Sequence, residues 1–138
     1  MKIGELQQEV VAILNGVEEL VQGGCKAFAE DDRDVYNKAD AWIQTGKTAL
    51  VVVTPDMERN GASAEGIPAE TRLIVQASEK PAIARAGRTA MRALDAAELA
   101  MHKLDGARFC WQSTRQTIDR QSGVLTATAE FSTTAMLS

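Results

Sequence analysis

One short stretch constrains this chain more than any other: Ala49-Leu50-Val51-Val52-Val53, apolar throughout, with three β-branched residues, closed off by Pro55. A run of that composition reads as a buried central strand, because strands covered by other layers lose the alternation seen at a solvated face. Residues 55–69 then hold Pro55, Asn60, Gly61, Gly66 and Pro68 with no apolar period, which predicts a loop. A second strand is expected over 71–77, with Leu73 and Val75 on one side and Arg72, Ile74 and Gln76 on the other. A connection of that length exceeds the usual hairpin turn, and such excursions are more often functional.

Helical periods flank these strands. Ile3, Leu6, Val10, Ile13, Leu14, Val17, Leu20 and Val21 follow one face of a helix, and Gly23-Gly24 closes it. Residues 25–29 fit a short strand. Asp31, Asp32 and Asp34 then supply negative charge where a helix dipole favours it, ahead of a short helix carrying Val35, Ala39, Trp42 and Ile43 and ending at Gly46. From Pro81, a residue suited to a first helical position, Ile83, Gly87, Ala90, Leu94, Ala97, Met101 and Leu104 form a second long stripe, closed by Gly106. After Gly106 the period becomes two. Strands are expected over 108–118 and 124–134, joined by the turn Asp119–Gly123. In the last strand Leu125, Ala127, Ala129 and Phe131 point one way, and Thr126, Thr128, Glu130 and Ser132 the other. The expected architecture is a single α+β domain over 1–138, with a largely antiparallel sheet of about four strands and two long helices packed on one face.

Charge and rare residues narrow the function. The 138 residues carry a formal net charge of −4, and residues 1–46 hold nine acids against four bases. That balance opposes non-specific nucleic-acid binding, which rests on many Lys and Arg contacts to phosphate. Residues 1–11 show no secretory hydrophobic block and no apolar run approaches ~18 residues, so the expectation is an intracellular protein without a membrane span. His102 is the single histidine, and Cys25 and Cys110 are far apart in sequence, too few ligands for a structural zinc site. The 31–34 acids lack the glycine and closing glutamate of a calcium loop. A nucleophile–base pair of Cys110 and His102 has no orienting partner in view. No catalytic residue, cofactor or metal is therefore assigned.

Arg85, Arg88, Arg92 and Lys103 fall opposite the apolar stripe of the predicted long helix, with Leu99 among them. The plain reading is a solvated basic face. The alternative is a docking face for an acidic partner, such as the 30–34 region of a neighbouring copy.

The order of motifs resembles that of phage tail-completion proteins, of the tail terminator or minor tail type. The resemblance runs through Arg33-Asp34-Val35 and Trp42, the strand from Gly46 to Val53, and the segment from Val75 to Pro81. It continues through the Ala-rich helix ending Leu104-Asp105-Gly106 and the closing strand pair. It implies a structural virion protein rather than an enzyme, found in the virion and, during assembly, in the host cytoplasm. Its partners would be further copies of itself in a homohexameric ring, together with tail tube and neck proteins. Neither a membrane nor direct nucleic-acid binding is implied. Candidate interface residues are Thr126, Thr128 and Glu130 on the outer sheet face, Met57 and Arg59 in the 56–67 loop, Arg85, Arg88, Arg92 and Leu99, and Asp31, Asp32 and Asp34. The rival expectations are a small intracellular α+β ligand-binding domain or enzyme, with a pocket between the long helix and the sheet, and a regulator docking through the Arg85–Arg92 face.

Overall fold

A computed structural model of the protein describes residues 1–83 and 90–138. Its strands are β1 (Cys25–Ala29), β2 (Thr48–Arg59), β3 (Ile67–Glu79), β4 (Cys110–Ile118) and β5 (Leu125–Leu137), and its helices α1 (Ile3–Asn15), α2 (Glu18–Gln22), α3 (Val35–Gln44) and α4 (Ala93–Leu104). The strands form one sheet in the order β1-β2-β3-β5-β4, with β1 parallel to β2 and every other pair antiparallel.

The expected fold of about four antiparallel strands under two long helices is therefore wrong in two respects. The sheet is mixed and five-stranded, and three helices among the described residues exceed seven residues, none of them long. The cause is the β2 run. Leu50 and Val52 face a core built with Leu6, Val10 and Leu14 of α1 and with the alanines of α4. Ala49, Val51 and Val53 face the other way and pack with Phe28 and with Val35, Ala39 and Ile43 of α3. An apolar strand of this kind needs cover on both faces. The α3 crossover from β1 to β2 supplies the second cover and makes that pair parallel.

Both predicted long helices break. The first stops at Asn15, with Gly16 as its C-cap and Val17 in extended backbone before α2 begins. The Asn15 side chain is committed to β1, so the chain turns there; Ile13 and Val21, placed on the buried stripe by their spacing, are exposed. In the second, Arg92 is extended and α4 starts only at Ala93. The Met91 amide donates to the Gly23 carbonyl, and the Met91 carbonyl accepts from Thr48 Oγ1 at 2.6 Å, which holds this residue against the start of β2 and out of a helix. Gly87 of the predicted stripe lies outside the described residues. The buried side of α4 is Ala93, Ala96, Ala97, Ala100 and Leu104, so Leu94 of that stripe points to solvent. Small side chains let the helix lie close to the sheet.

The predicted 55–69 loop is mostly strand. β2 continues to Arg59 and β3 begins at Ile67, leaving 60–66 as the turn. Pro55 sits in a register shift between Val53 and Asp56, where a missing N–H is tolerated. Gly66 has φ 152°, and a Cβ there would come within 2.5 Å of the Leu137 carbonyl oxygen. The alternations predicted for β3 and β5 hold, with Leu73, Val75, Ala127, Ala129 and Phe131 buried.

Candidate functional site

Helix α3 covers the β1–β2 part of its sheet face, and the same face of β3, β5 and β4 carries polar side chains. Cross-strand neighbours there interact directly. Arg72 Nε lies 3.0 Å from Glu130 Oε1 and 3.6 Å from Asp56 Oδ2. Ser113 Oγ donates to Glu130 at 3.4 Å, and the Ser78 and Thr126 hydroxyls meet at 3.0 Å. Glu70 accepts from Ser132 and Thr134. A shallow groove of about 290 Å³ crosses this face, lined by Asp56, Glu58, Glu70, Arg72, Gln112 and Glu130 among others. Thr126, Thr128 and Glu130 thus lie on the face expected of them, and Glu130 is tied into a network.

The borders of the sheet differ in kind. On β1 the outer edge is closed: Asn15 Nδ2 donates to the Ala27 carbonyl at 3.1 Å, and Asn15 Oδ1 accepts from the Ala27 N–H at 2.9 Å. Beyond β1, the Asp56–Arg59 end of β2 pairs only with β3. Here Met57 and Arg59 lie opposite Thr71 and Ala69, on the helix side, whereas Asp56 and Glu58 lie opposite Arg72 and Glu70 on the polar face. At the far border, β4 begins under the 105–109 segment, where Asp105 Oδ1 accepts from the Trp111 N–H at 3.0 Å. Arg108 anchors that segment through two hydrogen bonds to the Glu9 carboxylate of α1, which hold the Glu9 carboxyl below the usual range. From Ser113 to Ile118, no described residue outside β5 bonds to the β4 backbone.

Other expected residues scatter. Arg85 and Arg88 lie outside the described residues. Arg92 precedes α4 in extended backbone, Lys103 pairs with Glu19 at 3.6 Å, and Leu99 is half-buried against the core, so the described residues form no basic helix stripe. Of the acids, Asp32 accepts from Gln8 at 2.7 Å, the Asp31 N–H donates to Gln7 Oε1, and Asp34 takes left-handed backbone (φ 58°) at the start of α3 without a side-chain cap. Two of the three are therefore tied to α1 instead of to the α3 terminus.

A cavity of about 830 Å³ does lie between the start of α4, the end of β3 and the β4–β5 hairpin, lined by Glu79, Arg92, Asp95, Gln116, Ile118 and Leu125 among others. The buried Glu79 carboxylate there accepts from the Ala93 N–H and satisfies the first turn of α4.

His102 Nε2 is 3.9 Å from Glu98, Cys110 Sγ rests on the Trp111 carbonyl, and the two side chains share no hydrogen bond. Among the described residues no cluster of three or more His, Cys, Asp or Glu is placed to hold a metal ion, and no helix is long and apolar enough to cross a membrane. Burial, reinforced by the Glu79 charge, pushes the Cys25 thiol up to about 12, whereas Cys110 is exposed. Thiolate is the reacting form. Titration with a disulfide reagent at pH 8 should therefore count one thiol in the native protein and two in urea; two fast thiols in the native state would contradict the burial of Cys25.

Sequence reasoning passed over Asn15, Glu58 and Arg115. The alternation Asp56-Met57-Glu58-Arg59 was a usable strand signal hidden by Pro55; nothing local marks Asn15 as an edge cover. No family model matches this sequence, and no curated protein is detectably similar to it.

Proposed function

We propose that this chain is a structural assembly subunit of the tail-terminator kind, joining copies of itself into a six-membered ring that caps a phage tail tube and meets the neck. The observation that carries the reading is the pair of unlike open borders on one sheet, the Asp56–Arg59 end of β2 and the Ser113–Ile118 part of β4. Unpaired edges invite strands from other chains, and proteins that stay apart usually blunt them. The β1 edge is covered by the Asn15 side chain, whereas the Asp56–Arg59 and Ser113–Ile118 edges have no such cover among the described residues, and the bulges and charges beside them restrict which strands can add. Two different patches at opposite borders suit head-to-tail contacts, which close into rings. The polar face then offers a hydrogen-bonding surface to tube or neck subunits.

Multi-angle light scattering on the purified protein should give a hexamer, alone or after addition of tail tubes. A particle that stays monomeric in both conditions overturns the reading. A ligand-binding domain is the second reading, favoured by the cavity beside Glu79. Its signature would be a monomer whose unfolding temperature rises with a small molecule.

A further inference from the structure

We infer that neighbouring copies join strand to strand, the Asp56–Arg59 end of β2 in one protomer pairing antiparallel with Ser113–Ile118 of β4 in the next, and that Glu58 and Arg115 meet across this contact. The inference rests on the assembly reading and specifies its contact.

Direction comes first. Each of β3, β5 and β4 reverses the strand before it in the sheet, so β4 runs opposite to β2. A second copy in the same orientation therefore brings β4 to β2 antiparallel, the geometry in which an exposed edge is most readily extended. The polar faces also coincide. Glu58 lies on the polar face opposite Glu70, and Arg115 lies on it opposite Thr128. Glu58 and Glu70 are like charges directly across a strand pair, an arrangement that destabilises unless a cation joins them. Glu70 is held by Ser132 and Thr134, whereas Glu58 has no ion-pair partner among the described residues, and neither has Arg115. Two charges of opposite sign, without an ion-pair partner among the described residues, thus stand on one face at the two open borders.

The register agrees with closure. Through Glu70, Glu58 is level with Thr134 of β5, while Arg115 is level with Thr128, six residues along the strand (134 against 128). At about 3.3 Å per residue the next copy is displaced about 20 Å along the strands. From one β4 to the next there are four strand spacings, about 19 Å in all. Strands tilted by about 45° result, at the steep end of the range in which sheets close on themselves.

Charge reversal tests the contact. Glu58→Arg sets Arg against Arg115, and Arg115→Glu sets Glu against Glu58. Each variant alone is expected to need about tenfold more protein for half-assembly, measured by sedimentation velocity. Mixed in equal amounts, the two variants restore every contact in alternation, and assembly should return to the wild-type concentration. Arg120→Glu, the same charge change in the exposed β4–β5 turn, should leave assembly unchanged. Circular dichroism checks that each variant is folded. If the wild type forms rings and both reversals do the same at its concentration, or if the mixture fails to recover, this contact is overturned while the assembly reading stands. A wild type that never assembles overturns both.

Discussion

Phe131→Ala should lower the free energy of unfolding by about 3–5 kcal/mol, the usual cost of removing a fully buried aromatic ring. Phe131 is the largest fully buried side chain among the described residues, and on β5 it stands between Leu73 of β3 and Trp111 of β4. Its surroundings argue for the upper part of that range. Aromatics make up only 4% of the chain, and much of the core on this face is alanine, including Ala96, Ala97, Ala100, Ala127 and Ala129. Alanine has no rotamers with which to fill a void, so the cavity left behind should persist. For a domain whose total stability is about 5–15 kcal/mol, a large share would be lost. Urea melts followed by tryptophan fluorescence measure it. Leu94→Ala, on the exposed side of α4, is the matched control and should stay within about 0.5 kcal/mol. A Phe131 loss below about 1 kcal/mol, or a Leu94 loss as large as that of Phe131, would contradict the packing described here.

The contrast between Phe131 and Leu94 also shows which parts of the fold could be read from sequence. In β3 and β5 a period of two leaves little room for error, because shifting by one residue exchanges the faces entirely. The phase of α4 was harder to read. Alanine is compatible with either side of a helix, so the leucine and methionine spacing set the expected stripe while close approach to the sheet set the real one. Pro55 and Gly16 show how local signals depend on context. A proline that would ordinarily end a strand is accommodated by a bulge at Pro55, and Gly16, inside an apolar period that continues past it, is where α1 turns. The parallel pairing of β1 with β2 is non-local, and only the two-sided apolar run of β2 hinted that a second layer was needed. The borders of the sheet were least legible of all. Whether an edge is open depends on what lies beside it in space, and the sequence around Asn15 reads as the middle of one helix running on to Val21.

Asn15→Ala should therefore produce two effects at once. The Asn15 amide satisfies both the N–H and the carbonyl of Ala27, a residue only 3% exposed. Alanine leaves both groups without a partner in a place water reaches poorly, and an unsatisfied buried polar group costs about 1–3 kcal/mol. A stability loss of about 2–3 kcal/mol is expected in urea melts at low protein concentration. Asn15→Asp, which keeps the acceptor for the Ala27 N–H but loses the donor, should fall between alanine and the wild type. The second effect is on association. With Asn15 gone the β1 edge is open as well, and a third open border has no place in a head-to-tail ring. Copies adding there should give a broad distribution of larger species in sedimentation velocity, in place of one closed particle. The two effects separate the roles of the side chain. Lost stability with an unchanged particle size would mean that Asn15 only satisfies the backbone, whereas both together would mean that it also keeps β1 from pairing with other chains. An Asn15→Ala protein that melts and sediments like the wild type would show that something other than this amide closes the edge.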